Sequence, residues 1–218
     1  MDNIKNNIIF CFWTGDNHLT QNRIECLQNL KNISECNVVL VTKNTLDKYI
    51  LEIAPLHPAY EYLSATHRAD YLRTYFMNFH GGGYSDIKKT TGSWKKSFND
   101  ILQSDDKYII GYQEIPGGQA FGDSQSYKYL IGNCAYISKP HTPLTEEWYH
   151  DMIKLLDKKL CLLKLYPATS PIDCAEISGG RYPIQWNQML GRIFHKICYN
   201  YKENLIRTLP LSVFNNYR

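Results

Sequence analysis

Two apolar runs of strand length, "NIIFCFW" over residues 7–13 and "NVVLVT" over residues 37–42, bracket a segment with helical periodicity, and this pattern narrows the fold more than any other feature. Near-continuous apolar runs of that length read as strands buried on both faces, as in a parallel sheet. Between them "TGDN" signals a loop at a strand end, Thr20 is placed to cap a helix, and Ile24, Leu27 and Leu30 share one face of it. Strand, helix and strand in about 40 residues imply a parallel α/β unit. The chain has 218 residues, enough for one sizeable core. The expectation is therefore a single α/β domain with a central, mostly parallel sheet flanked by helices.

From Ala59 to His80 the period becomes 3.6, with Ala65, Ala69, Leu72, Phe76 and Phe79 on one stripe. The glycines at 81, 82 and 83 are expected to end that helix, and a strand to start at Tyr84. One glycine would serve as a cap, and each extra one costs on the order of 0.5–1 kcal/mol relative to Ala. Two spare glycines imply that backbone passes close to something there. Further strands are expected over 107–112 and 129–137, around a mobile loop at 115–127. A helix over 144–163, introduced by Thr142 and Pro143, follows. A loop over 166–183 leads to a helix carrying Trp186, Met189, Leu190, Ile193, Phe194 and Ile197. The final segment is expected as an edge strand, since Pro210 cannot sit in a central one.

On the long helix Thr66, Asp70, Arg73 and Met77 share one flank, beside the buried stripe. The plain reading of Asp70 and Arg73 is a surface ion pair. Alternation in a strand from Tyr84 sends Asp86 and Lys88 one way and Ile87 into the core. Helix flank and strand tip would then present Asp70, Arg73, Asp86 and Lys88 to one crevice at a strand end, where open α/β sheets bind ligands.

The run "HRADYLRTYFMNFHGGGYSDIK", with "IIFCFWTGD" near the start, resembles the nucleotide-sugar-dependent glycosyltransferases with a DxD region, in particular glycosyltransferase family 32, the capsular polysaccharide synthesis proteins and, more remotely, the glucosylating clostridial toxins. The matching positions are Trp13, Asp70, Arg73, Gly82, Gly83 and Asp86, and the likeness is good over residues 7–88. It implies a GT-A-like fold, with residues 1–88 as the donor nucleotide-binding half and 107–218 as the acceptor-side half. It also implies transfer of a sugar from a nucleoside-diphosphate donor, UDP-linked for preference, to a hydroxyl acceptor, with retention. In that reading Trp13 stacks on the base with Thr14 beside it. Asp70 and Arg73 contact ribose and donor sugar, Gly83 and Tyr84 border the donor, Asn133 contacts the sugar, and Asp86 faces sugar, diphosphate and a Mn²⁺ or Mg²⁺ ion.

The departure is Lys88, which stands where the family has its second Asp. Either the Lys88 ammonium replaces the metal beside the diphosphate, or the metal is kept by Asp86 with His195, Glu114 or Asp123, or Lys88 simply pairs with Asp86 and the site has decayed. If the enzyme inverts, it needs a base on the acceptor side. Glu114 is the candidate and Asp123 the second, the plain reading of Glu114 being a solvated loop acid. Trp186 and His195 could border the acceptor or form a buried pair. A binding module that kept the fold and lost turnover is the alternative function.

A net charge of +3 with dispersed Lys and Arg gives no footprint for nucleic acid. No run approaches the roughly 20 apolar residues of a membrane span. Seven cysteines without regular spacing point to reduced thiols and a cytoplasmic setting.

Overall fold

Alternation along the first strand sets the layers. In a computed structural model describing residues 2–217, a short helix α1 (Asp2–Lys5) precedes β1 (Ile8–Trp13). Phe10 and Phe12 of β1 enter one core cluster, while Ile9 and Cys11 enter the other, as a period of two requires when both faces are covered. Then come α2 (Gln21–Ser34), capped by the Thr20 hydroxyl accepting from Arg23 N–H, and β2 (Asn37–Thr42), parallel to β1. Strand, helix and strand thus form the parallel unit read from the pattern.

The long helix, α3, runs Ala65–Phe79 and is shorter than the 59–80 expected. Residues 60–62 make a separate 3₁₀ turn, because the extended Ser64 supplies the cap, its hydroxyl accepting from His67 N–H. His80 closes the helix, and Gly81 follows at φ +62°. The strand β3 (Gly82–Ser85) starts earlier than Tyr84 and stops before Asp86. So Asp86 and Lys88 lie just past a strand end, where side chains no longer alternate as they do along a strand.

The glycine triplet also differs from its expected use. A Cβ on Gly81 would stand 2.5 Å from Pro140 Cδ, one on Gly82 3.1 Å from the Ile8 carbonyl oxygen, and one on Gly83 3.0 Å from Ile9 Cγ1. The close approach these glycines permit is between α3, β1 and the turn after β5, all within the protein.

The remaining elements are α4 (Lys95–Gln103), β4 (Ile109–Gln113), β5 (Ile131–Ser138), α5 (Pro143–Leu165), α6 (Gly191–Asn200) and β6 (Leu205–Ile206). The six strands form one sheet in the order β2-β1-β3-β5-β4-β6. Three pairings are parallel and two, those made by β5 with β3 and β4, are antiparallel. The result is an α/β domain with a mostly parallel sheet between helices. β6 is an edge, and beyond it the backbone makes isolated bridges on either side of Pro210, Thr208 with Tyr112 of β4 and Ser212 with Thr90 outside the sheet.

One face packs on residues of α3, α5 and α6. There the rings of Phe76, Phe12, Tyr84 and Tyr136 follow one another at centroid spacings of 4.8, 5.5 and 5.4 Å. The other face packs on residues of α1, α2 and α4, including Ile4, Leu30, Phe98 and Ile101. The helix expected from Trp186 begins only at Gly191, and residues 184–190 are a bend and turns that bury Ile184 and Met189 but leave Trp186 46% exposed. The Trp186 N–H is held by the Glu176 carboxylate at 3.0 Å instead of entering a helix. Among the described residues, no helix is long and apolar enough to cross a membrane.

Candidate active site

The carboxyl ends of β1 and β3 and the flank of α3 meet at one cleft of roughly 240 Å³. Trp13 is the last residue of β1, Asp86 the first after β3, and Arg73 stands on α3, and all three line it. This is the position at which parallel strand ends leave a crevice for ligands. Thr14 and Tyr84 line the same space.

Trp13 presents its indole with the edge pinned, since Nε1–H donates to the Asn17 carbonyl at 2.6 Å. A fixed, half-exposed ring of this kind offers a flat apolar face. A second hollow on the β2 side shares Trp13, Gly15 and Asn17 with the cleft and adds Thr42, Lys43 and Asn44.

A chain of charges runs from the cleft into the protein, with Arg73 and Asp86 on the cleft wall and Asp70 and Lys88 behind them. Arg73 Nη2 lies 3.2 Å from Asp70 Oδ1 and 3.3 Å from Asp86 Oδ1, while Nη1 donates to the Asn133 carbonyl at 2.8 Å. Its guanidinium carbon sits 4.4 Å from the Tyr84 ring centre, and the Tyr84 hydroxyl donates to Asp86 Oδ1 at 2.6 Å. Lys88 Nζ closes the series on Asp86 Oδ2 at 2.7 Å. Asp70 is 3% and Arg73 6% exposed, so this is a buried network and not the surface pair of the plain reading.

Two cations and two carboxylates offset one another, but unevenly. Burial opposes ionisation of Asp86, yet Lys88 and Arg73, with the hydrogen bonds from Lys88 and Tyr84, hold its carboxyl well below the usual range. Burial pushes Asp70 up to about 7, with Arg73 pulling against it and Asp86 adding to the rise. Burial favours the neutral amine of Lys88, but Asp86 outweighs it and keeps the ammonium charged. Asp86, its side chain 23% exposed, is the anionic end that a ligand meets, and Asp70 holds Arg73 from behind.

The other expected site residues are placed differently. Lys88 is buried and absent from the cleft wall, with its ammonium against Asp86, the Cys134 sulfur at 3.1 Å and the ring of Phe214 at 5.2 Å. Gly83 faces Ile9 and Phe98 on the α4 side of the sheet. Asn133 serves the site through its backbone carbonyl. Glu114 is buried, not solvated, and is outside the cleft: Oε1 accepts from Ile115 N–H at 2.8 Å, and Oε2 lies 3.2 Å from Nε2 of the fully buried His195, without hydrogen-bond alignment. His195 Nδ1 accepts from Ala120 N–H, which places its proton on Nε2. Asp123 closes its own turn by accepting from Gln125 N–H and the Ser126 hydroxyl.

Three contributors escaped the sequence reading. Arg23, the third residue of α2, reaches the cleft and donates through Nη1 to the Ile87 carbonyl at 2.8 Å. Pro171 and Ile172, from the long segment after α5, form the opposite lip. An arginine placed just after the "TGDN" loop was the available signal for Arg23. Nothing in the pattern pointed to residues 171 and 172.

The donor set does not fit a divalent metal. Asp86 accepts from Tyr84 and Arg73 on one oxygen and from Lys88 on the other, so two cations already hold the carboxylate where a hard ion needs several oxygen ligands. Among the described residues no group of three or more His, Cys, Asp or Glu could hold an ion.

No family model matches the sequence, and comparison with curated proteins finds no match. Among solved structures the chain is similar to one described as "PaToxG Glycosyltransferase", at 14% identity and a TM-score of 0.49, over 96% of this chain and 88% of that one.

Proposed function

We propose that the chain is a glycosyltransferase that moves a sugar from a nucleoside-diphosphate donor, UDP-linked for preference, to a hydroxyl acceptor. The observation that carries this reading is that a pinned indole, a guanidinium and an ionised carboxylate line a single cleft at the strand ends. Each suits one part of such a donor: Trp13 the flat base, Arg73 phosphate or sugar oxygens, and Asp86 a sugar hydroxyl. A carboxylate has about four acceptor positions. Three at Asp86 are filled by protein donors, leaving room for one hydroxyl.

In the reaction the anomeric C–O bond breaks and its electron pair leaves on the diphosphate, through an oxocarbenium-like state. Arg73 faces the growing negative charge. The acceptor oxygen forms the new bond and its proton passes to a departing phosphate oxygen, a retaining course that requires no separate base. Glu114, outside the cleft, takes no part. Its bonds to Ile115 and its approach to His195 give it a structural role at the root of the 115–125 loop.

The Lys88 ammonium held on Asp86 favours one second reading, a donor-binding protein without turnover. A thermal-shift panel of nucleotides and nucleotide sugars tests the main reading, since a ligand bound only by the folded state raises the melting temperature. At least one nucleotide sugar is expected to raise it for the parent and not for Trp13→Ala. If none does, the reading is wrong. Binding with neither transfer nor donor hydrolysis selects the second reading.

A further inference from the structure

The cations on Asp86 are committed before any ligand arrives. Arg73 and Lys88 both hold Asp86, with Asp70 beside Arg73, and Lys88 is spent behind Asp86, away from the cleft wall. A diphosphate entering this space brings two or more negative charges, beyond the partial excess of positive charge that the burial of Asp70 leaves in the network. A divalent ion is poorly placed to supply the compensation, because the carboxylate it would use is held by an ammonium and a guanidinium, and a third cation there is repelled.

Arg23 differs from the other cations. It lines the same cleft, its hydrogen bond among the described residues goes to the Ile87 carbonyl and not to a carboxylate, and its guanidinium carbon lies 5.9 Å from the Trp13 ring. Arg73 and Arg23 thus donate to consecutive residues, one to the Asp86 side chain and the other to the Ile87 backbone. Arg73 spends Nε–H on the Ala69 carbonyl, one Nη1–H on Asn133 and Nη2 on Asp70 and Asp86, so of its five donors one is left for a ligand, whereas Arg23 binds the Ile87 carbonyl through Nη1 and can turn a planar fork to a phosphoryl group.

Building on the donor reading above, we infer that the diphosphate is gripped by Arg23 together with Arg73, without a divalent cation. Arg23 is a ligand-binding residue of this site and its charge does the work that a metal does elsewhere. Lys88 acts on the donor only through Asp86, by holding that carboxylate ionised and turned toward the cleft.

The test is titration of the whole protein with inorganic pyrophosphate and with UDP, in EDTA and then in Mn²⁺, followed by calorimetry. Pyrophosphate is expected to bind the parent in EDTA with an affinity that Mn²⁺ changes by less than about twofold. Arg23→Gln is expected to weaken it about tenfold or more, the worth of a charge-assisted hydrogen bond, while the melting temperature of the unliganded protein moves little. Binding that requires Mn²⁺ overturns the inference, and so does Arg23→Gln binding pyrophosphate as tightly as the parent. The metal comparison uses the parent alone, so it decides even where a variant fails to fold. The donor reading fails separately: if pyrophosphate binds in EDTA but UDP and UDP-sugars bind no more tightly, the clamp stands and the nucleotide-sugar reading falls. If nucleotide sugars bind only with Mn²⁺, the donor reading stands and the clamp falls.

Discussion

Asp86 is the residue on which most of the site converges, and Lys88 is its nearest cation. Their 2.7 Å contact is buried on the lysine side and open to the cleft on the carboxylate side. Removing one partner of a buried pair strands the other, at a cost on the order of 3 kcal/mol. Lys88→Met, which keeps the stem and deletes the charge, is expected to lower the urea midpoint by that order with an unchanged slope. A loss below about 0.5 kcal/mol would show the ammonium to be dispensable. Adding Asp86→Asn to Lys88→Met should recover part of the loss, the signature of direct coupling.

The joint between α3 and β3 shows what an element boundary demands. Gly81 adopts φ +62° with Pro140 Cδ 2.5 Å from where a Cβ would be, whereas Gly117 has φ +82° and nothing within 4 Å of that point. Gly81→Ala therefore carries both the left-handed backbone cost of about 1–2 kcal/mol and a steric clash, while Gly117→Ala carries the first alone. Thermal unfolding should rank Gly81→Ala clearly below Gly117→Ala, and equal losses would show that packing is not what the triplet serves. This joint was only half legible in sequence. The helix stop was readable from glycine chemistry, but Pro140, Asn3 and Ile9 approach from distant parts of the chain, and no local pattern announces them. The same limit explains the rest. Asp70, Arg73 and Asp86 were readable because periodicity and a strand end carried them to one place, within one helix and its following strand. Arg23 and Ile172 reach the cleft by tertiary folding, and Glu114 meets His195 only because α6 packs against the sheet. Helical spacing around Trp186 was misleading, since its buried neighbours Ile184 and Met189 are buried from a bend and a turn.

Across the whole molecule, α3 carries two buried groups whose protonation pulls stability in opposite directions with pH. His67 is lowered to about 4, first by burial, so between about pH 4 and 6.5 the unfolded chain binds the extra proton and stability rises with pH. Asp70 is raised to about 7 by burial, so from about pH 4 to 7 the folded chain holds the extra proton and stability falls as pH rises. The two slopes oppose each other over nearly the same interval, each limited to about 1.4 kcal/mol per pH unit. Asp86, held low, adds a separate loss only as pH falls below the usual carboxylate range. Asp70→Asn removes one of the opposed groups and leaves the other. The stability of that variant relative to the parent is therefore expected to climb as pH rises from about 4 to about 7, then to level off. Urea unfolding of both proteins across that range measures the difference directly. A constant offset would mean that Asp70 is ionised throughout, with Arg73 overcoming its burial, and the network would then carry no excess positive charge at neutral pH.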